Sequence, residues 1–373
     1  MKFSIDKNVL LKILSKTQTI ADKKISMPIL SNVLLEAHSN TLTVKATNLE
    51  VGITLVCDVE ISEEGKIVLS SKALFDIVKE MPDSLIHFST NENFITEIVC
   101  GEAIFNIAGI DHNEFPNVMN YEDTEFSIIP ISVLKDMIEK TLFSVSVDET
   151  RPFLNGAYFD YKEKDNNTFL RVVTTDGRRL SLVDRDIKLP EGLNMSKGII
   201  VPQKGLYEIL KNFDNETGLC EIAIVKNFLV LKENNTVLYM RLIDGTYPDY
   251  SRAIPTDLPI KIFIDRSVFL SSLKRVSLVS DENTRSIRLL INGNKMKIYT
   301  DTSNLGDAKE DINIECDCET NIDIGFNSKL VIELLSTLDQ DKLVMELKDS
   351  NSAGIIKPVN SSDSLYVIMP LRN

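Results

Sequence analysis

Apolar and polar residues follow two different periods along this chain, and the order of those periods recurs. Residues 9–14 carry apolar side chains at the spacing of one helix face, whereas residues 41–44 and 53–56 show the spacing of strands. A second helical stretch at 74–79 runs into Met81-Pro82-Asp83, and it should end there because proline cannot continue a helix. The pattern predicts a strand, a helix, several strands, a second helix and several more strands.

The same order follows twice more, which predicts three similar domains. A second helix is marked in the three copies by Lys72, Lys204 and Lys329. These lysines lie much further apart than the roughly 20–50 residues of a solenoid repeat, so each copy should have its own core. Strand-like openings that lead into a first helix occur at residues 3–12, 126–135 and 262–270.

Six helices are therefore predicted, two in each domain. They are centred near Leu10, Leu74, Val133, Leu206, Phe269 and Leu330. The polar segments 121–125 and 253–259 each precede a fresh copy, so we place the domains at 1–124, 125–253 and 254–373. Helices and strands mixed within each copy predict an α+β fold.

The composition is typical of a globular protein. Of 373 residues, 43% are hydrophobic and 26% are charged, which supplies apolar material for three cores. No apolar run approaches the 18 or so residues of a membrane span, and Asp6 and Lys7 stand where a signal peptide needs its apolar core. The expected location is the cytoplasm, without a membrane partner.

Neither cysteine nor histidine spacing indicates catalysis. The five cysteines include no Cys-x-x-Cys motif, so a disulfide framework and a zinc site are not expected. Histidine occurs only at His38, His87 and His112, in or beside strand-like segments. Nucleophile-elbow, phosphate-loop and dinucleotide-binding motifs do not occur in the sequence. We predict no catalytic residue, no metal and no cofactor. The alternative from another class is a metal-dependent phosphoester hydrolase that uses scattered carboxylates.

The net charge argues against a nucleic-acid partner, whereas the placement of the lysines is compatible with one. A formal net charge of −14 argues against nucleic acid, because affinity for DNA comes mainly from lysine and arginine. Yet Lys72 and Lys79, and then Lys204 and Lys211, are seven residues apart, which places each pair on one helix face. These faces are either ordinary solvated surface or one shared basic surface that meets phosphates. A structural homo-oligomer without a nucleic-acid role is a third hypothesis.

Three regions do not recur between the copies: 151–156 together with 174–180, then 244–252, then 366–372. They contain an arginine-led Leu-x-Gly strand, a Thr-Asp-Gly-x-Arg-Leu turn, a Pro-Asp-Tyr-x-Arg stretch and a terminal Val-x-Met-Pro-x-Arg. In this order, on a triplicated frame, the motifs resemble the bacterial sliding-clamp family, the beta subunits of DNA polymerase III. The resemblance covers essentially the full length.

The resemblance implies an architecture, a function and a set of partners. Each chain would have three clamp domains with two helices backed by antiparallel sheets, and two chains would close head to tail into a six-domain ring. Double-stranded DNA would pass through the hole without regard to its sequence. The ring would perform no chemistry and would tether the replicative polymerase. Implied partners are the polymerase alpha subunit, the clamp loader and other proteins with clamp-binding motifs.

The resemblance also assigns residues to three surfaces. A peptide-binding pocket between the second and third domains takes in Leu154, Thr175, Gly177, Arg178, Arg179, Leu180, Pro248, Arg252, Val367, Met369, Pro370, Leu371 and Arg372. The DNA-facing set is Lys12, Lys16, Lys24, Lys72, Lys79, Arg151, Lys204 and Lys211. The dimer interface is expected at Phe105, Ile107, Leu278 and Val279.

Overall fold

We analysed a computed structural model of the chain. It describes every residue except 22–26, 118, 120, 122–123, 165–166, 188–192, 194, 196, 214–217, 301–304, 318–320, 360 and 372–373. Lys24 of the predicted DNA-facing set and Arg372 of the predicted pocket therefore lie outside the described residues.

All six predicted helices are confirmed. They are α1 Lys7–Thr17, α2 Ser71–Glu80, α3 Ile131–Leu142, α4 Gln203–Asn212, α5 Arg266–Val276 and α6 Ser328–Thr337. Helix α2 ends immediately before Met81, as the following proline predicts. Asp6 begins α1 by accepting hydrogen bonds from the backbone nitrogens of Asn8 and Val9, and Asn327 caps α6 in the same way.

The strands fall before and after each helix, as the repeated order predicts. The strands of the first predicted domain are β1 Lys2–Asp6, β2 Asn32–His38, β3 Thr41–Thr47, β4 Val51–Asp58, β5 Glu60–Glu63, β6 Gly65–Ser70, β7 Leu85–Thr90, β8 Ile95–Cys100 and β9 Ala103–Ala108. The second contributes β10 Ser127–Pro130, β11 Gly156–Lys164, β12 Asn167–Thr175, β13 Arg179–Arg185, β14 Ile199–Pro202, β15 Leu219–Val225, β16 Phe228–Glu233 and β17 Thr236–Arg241. The third contributes β18 Ile260–Asp265, β19 Ser286–Asn292, β20 Lys295–Tyr299, β21 Lys309–Asn313, β22 Glu315–Cys316, β23 Asn321–Asn327, β24 Lys342–Leu347, β25 Gly354–Pro358 and β26 Ser364–Ile368.

The described chain divides into two compact units. The first comprises 1–132, 189–194 and 204–242, and it holds a five-stranded sheet, β5-β1-β7-β8-β9, and an eight-stranded sheet, β10-β15-β16-β17-β4-β3-β2-β6. In the longer sheet β4 pairs with β17, so strands of the first and second predicted domains share one ladder. We call this pairing the first junction.

The second unit comprises 133–188, 195–203 and 243–373. It holds a nine-stranded sheet, β14-β11-β12-β13-β26-β25-β24-β18-β22, and a four-stranded sheet, β21-β20-β19-β23. Here β13 pairs with β26, and strands of the second and third predicted domains again share a ladder. We call this pairing the second junction.

The two units do not coincide with three separate domains, because each long sheet crosses a predicted boundary. Antiparallel backbone pairing at the junctions ties strands from neighbouring copies together as firmly as strands within one copy. The boundaries at 1–124, 125–253 and 254–373 stay a prediction.

Candidate functional site

The second junction brings together residues of the predicted pocket that are far apart in the sequence. Leu180 on β13 faces Val367 on β26 across the ladder. Both are buried in one apolar cluster with Leu154 and Tyr247. Burial raises the pKa of Tyr247, so its hydroxyl stays neutral at the base of this cluster. The cluster gives the predicted pocket an apolar floor.

One edge of this floor is the β12–β13 turn. Asp176 Oδ1 accepts hydrogen bonds from the backbone nitrogens of Arg178 at 2.8 Å and Arg179 at 3.0 Å. Thr175 Oγ1 donates to the carbonyl of Arg179 at 2.6 Å. Gly177 has φ +86°, a conformation that favours glycine. The turn therefore holds its backbone in one fixed shape beside the floor.

Arg151, assigned to the DNA-facing set, lies at this turn. Its Nη2 lies 3.4 Å from the carbonyl of Asp176, and its Nη1 is 3.0 Å from where a Cβ on Gly177 would stand. Its Nε pairs with Asp148 Oδ2 at 3.0 Å. The structure thus associates Arg151 with the pocket rim, while its assignment to DNA stays a prediction.

Arg179 is buried, with only 8% of its side chain exposed. Its Nε lies 3.1 Å from Asp176 Oδ2, and its Nη1 lies 2.7 Å from Glu333 Oε2 on α6, without the alignment of a hydrogen bond. The guanidinium also stacks 5.1 Å above the ring of Phe143 and donates to the carbonyl of Phe143. Arg179 therefore shapes the wall of the pocket through these partners.

Arg252 is the more accessible arginine of the pocket. Its side chain is 86% exposed, and its Nε lies 3.0 Å from Asp249 Oδ2 in a pair that water can screen. Pro248, four residues earlier, is also exposed. Arg252 can consequently turn to a ligand at little cost.

Residues 369–371 are bonded to two other segments of the second unit. The backbone nitrogen of Met369 donates to the carbonyl of Arg178 at 2.9 Å, and that of Leu371 donates to the carbonyl of Gly325 at 2.8 Å. Met369 is exposed, and Pro370 and Leu371 are partly buried. The first bond places Met369 next to the β12–β13 turn, and the second places Leu371 beside Gly325 on β23.

An ionic network supports the strands beneath the pocket. Arg185 at the end of β13 contacts Asp136 of α3 at 2.6 Å and Asp363 before β26 at 2.7 Å. Burial raises the pKa of Asp136, but hydrogen bonds and charge from Lys140 and Arg185 outweigh it and hold the pKa below its usual value. Asp136 is therefore charged at neutral pH and helps to fix β13 against β26.

The predicted DNA-facing lysines of the first unit have two different environments. Lys12, Lys72 and Lys79 are exposed, and Lys204 is partly exposed. Lys16 instead donates to the carbonyl of Asn212 at 2.8 Å, at the end of α4. Lys211 donates to the carbonyl of Ser15 at 3.0 Å and to Thr19 Oγ1 at 2.9 Å, near the end of α1.

Lys16 and Lys211 thus cap the carboxyl ends of each other's helices. Such ends carry unpaired carbonyls and partial negative charge, which a lysine stabilises. Helical spacing alone reveals none of this, because it reports the face of a lysine and not its neighbour.

The predicted dimer-interface residues expose large apolar side chains. On β9, which among the described strands pairs with β8 alone, Phe105 is 39% exposed and Ile107 is partly buried. Leu278 is 77% exposed and Val279 is partly buried, in the turn after α5. Ile104, which the predicted interface set does not include, is 60% exposed next to Phe105. Neighbouring residues of a strand point to opposite faces, so the apolar pair Ile104 and Phe105 indicates that both faces of β9 carry an apolar side chain.

Within the described residues, no group of three histidine, cysteine, aspartate or glutamate side chains could hold a metal ion. Nor is any described helix long and apolar enough to span a membrane. A repeated frame of paired helices and antiparallel sheets, with an apolar cluster at the second junction, has the build of a sliding clamp. Proteins of that class act by binding.

Comparison with known proteins identifies the family. Models of the N-terminal, central and C-terminal domains of the DNA polymerase III beta subunit match residues 1–119, 128–249 and 251–372. The chain belongs to this family, whose members are non-catalytic processivity factors of the polymerase, and the resemblance inferred from the motifs is confirmed.

Curated relatives and solved structures agree with that assignment. The chain is 29% identical to the beta sliding clamps of Staphylococcus epidermidis and Vibrio cholerae, over 100% of its own length and 99% and 100% of theirs. It is 30% identical to the DnaN sliding clamp of Bartonella birtlesii, solved with griselimycin, with a TM-score of 0.94 and full coverage of both chains. The Bacillus subtilis sliding clamp is 26% identical, with a TM-score of 0.94, over 100% of this chain and 99% of that one.

Proposed function

We propose that two copies of this chain close head to tail into a cytoplasmic ring around duplex DNA and hold the replicative polymerase on it. The observation that carries the proposal is the match of three clamp-domain models, in order, to almost the whole chain. Its partners are DNA of any sequence, a second copy, the polymerase alpha subunit, the clamp loader and other proteins with clamp-binding motifs.

Exposed apolar side chains support ring closure. Ile104 and Phe105 lie on the edge strand β9, and Leu278 follows α5. Edge strands present unpaired backbone groups, and large exposed apolar residues mark interaction surfaces. A head-to-tail dimer would cover both with one kind of contact, repeated twice around the ring.

Ring dimensions favour two chains over one. Twelve helices at about 9 Å spacing would bound a hole roughly 35 Å wide, whereas six would leave about 17 Å. Duplex DNA is roughly 20 Å across by its groove depths. Only the dimer leaves room for DNA and a layer of water.

A loose fit also suits the charges. Exposed Lys12, Lys72 and Lys79 can attract phosphates through water, and phosphate contacts carry no sequence information. The net charge of −14 would keep other DNA off the rest of the surface.

The pocket at the second junction would take a short apolar peptide from each partner. Leu180 and Val367 supply the floor, Met369 an apolar rim, and Arg252 an accessible cation for a carboxylate or backbone carbonyl. An apolar floor with few polar groups around it is typical of such sites.

Retention on circular DNA tests encirclement. Labelled protein is loaded by its cognate loader onto nicked circular DNA, and gel filtration is run at a salt concentration that dissociates electrostatic binders. We expect the protein to stay on the circle and to leave after a single cut, because it slides off the ends. An unchanged bound fraction after cutting would show that the protein does not encircle DNA.

The same samples discriminate the alternatives. A structural homo-oligomer would be retained on neither DNA, and a phosphoester hydrolase would turn over a generic phosphoester when metal is added.

Alanine at Lys72, Lys79 and Lys204 tests the basic helix faces. We expect weaker loading and a shallower salt dependence, because each phosphate that is no longer neutralised reduces the logarithmic slope by about 0.9. Lys211→Ala is kept as a separate variant, because it also removes bonds to Ser15 and Thr19. An unchanged slope in the triple variant would assign these lysines to solvated surface.

A further inference from the structure

The two long sheets have one strand order, which relates the first junction to the second. Read from β6, the first runs β6-β2-β3-β4-β17-β16-β15-β10, and read from β14, the second runs β14-β11-β12-β13-β26-β25-β24-β18 before its additional strand β22. The registers correspond as well. Gly52 faces Tyr239 across the first junction where Leu180 faces Val367 across the second.

The β3–β4 turn repeats the hydrogen bonds of the β12–β13 turn. Asn48 Oδ1 accepts from the backbone nitrogens of Glu50 at 3.0 Å and Val51 at 2.7 Å, as Asp176 does in its own turn. The backbone nitrogen of Leu49 donates to Thr47 Oγ1 at 3.0 Å, and that of Gly177 donates to Thr175 Oγ1 at 3.1 Å. Leu49 therefore stands at the first junction where Gly177 stands at the second.

Leu49 is an unusual residue for this place. Its φ is +74°, a region that disfavours residues with a Cβ, and its side chain is 48% exposed. A strained backbone at an exposed apolar residue is often retained where the residue has a function. Glycine would fit the backbone better, and leucine instead adds an exposed apolar side chain at this turn.

That side chain lines a cavity of about 300 Å³ within the first unit. Met119, Val225, Phe228 and Tyr239 supply further apolar lining. The Tyr239 ring lies across Gly52, since a Cβ on Gly52 would be 2.1 Å from it. The cavity is at the lower end of the volumes of ligand pockets, roughly 300–1,000 Å³, which suits one large apolar side chain.

The charge among the described lining residues of the cavity is positive. Lys226, exposed in the β15–β16 turn, is the charged residue among the described residues that line the cavity, and Thr47 and Asn117 are polar and neutral. An apolar cavity beside one cation complements a large apolar side chain next to a carboxylate.

We propose that the first junction is a second peptide-binding site, which takes a peptide segment with a large apolar side chain beside an acidic residue. This proposal rests on the proposed function in one respect. It compares the first junction with the peptide pocket that we propose at the second junction. Leu49 and Met119 contact the apolar side chain, and Lys226 pairs with the carboxylate.

Methionine methyl NMR of the full-length protein tests both junctions in one sample. The ε-methyl of Met119 reports on the first junction and that of Met369 on the second, each assigned by replacement with leucine. The probe is acetyl-Leu-Phe-Asp-amide, with acetyl-Leu-Phe-Asn-amide and acetyl-Gly-Gly-Asp-amide as matched peptides. We expect a saturable shift of Met119 with the first peptide, weaker binding of the second and none of the third.

Variants locate the contacts. Leu49→Asn keeps a residue that tolerates positive φ but removes the apolar contact, and should weaken binding about tenfold. Lys226→Glu should weaken the aspartate peptide more than the asparagine peptide. Glu50→Gln, at an exposed neighbour outside the lining, should bind as the unchanged protein does.

The outcomes separate the two proposals. If Met369 shifts and Met119 does not, the first-junction site is wrong and the second-junction pocket stands. If the Met119 signal shifts in a Leu49-dependent manner and the Met369 signal does not shift, the first-junction site stands and the second-junction pocket is wrong. If neither methyl signal shifts, the first-junction site is wrong. It is also wrong if the Met119 signal shifts with equal affinity in the Leu49→Asn variant.

Discussion

Replacement of Leu278 and Val279 with aspartate should convert the dimer into a monomer. Leu278 is 77% exposed in the isolated chain, and the proposed ring covers it against the partner's edge. A charge buried in an apolar interface without a partner costs several kcal/mol. The same interface occurs at two places in the ring, so the cost arises at both. The dissociation constant of the dimer should therefore rise at least about a thousandfold.

Light scattering over a concentration series measures this effect. The matched control is Leu219→Asp, which alters another exposed leucine, 58% exposed on β15, outside the predicted interface. The control should keep the mass of a dimer. A dimer of undiminished stability in the Leu278 and Val279 variant would remove these residues from the interface.

Helices and their ends were predictable because their signals are local. Apolar spacing located all six, and Pro82 fixed the end of α2 at Glu80. The junctions were not predictable in this way. Tyr239 pairs with Gly52, and Val367 with Leu180, across separations at which neither strand carries information about its partner.

The predicted pocket residues show the same difference between information that is local in the sequence and contacts that are not. Its residues were identified from motifs, but their environments depend on partners distant in the sequence. Arginine is rarely buried without a partner, and Arg179 is buried only because Asp176, Glu333 and Phe143 surround its guanidinium. Likewise, Lys16 and Lys211 have the spacing of surface lysines and yet cap neighbouring helices.

Both junctions share one construction, and each of the two proposed sites lies beside it. A strand of the next copy completes the sheet, and an Asx turn of the previous copy stands beside it. In the two proposed sites, side chains at the turn and on the added strand would decide what each junction binds. Tyr239 lies over Gly52 at the first junction, whereas Leu180 and Val367 are buried together in an apolar cluster at the second.

Deletion of residues 369–373 should abolish binding of a clamp-binding peptide from the polymerase alpha subunit while leaving the dimer intact. Met369 and Leu371 are held at the pocket by bonds to Arg178 and Gly325, so the deletion removes both apolar side chains and one wall. Burying each such side chain contributes about 1.5–3 kcal/mol, so affinity should fall at least about a hundredfold.

Fluorescence anisotropy of the labelled peptide measures the loss, and light scattering confirms the dimer. A shorter deletion of Asn373 alone is the matched control for truncation itself, because it keeps Met369, Pro370, Leu371 and Arg372. Met369→Ala should lie between the two. Equal affinity in the protein lacking 369–373 would place the peptide elsewhere, and the Met119 methyl at the first junction would then be the first position to examine for it.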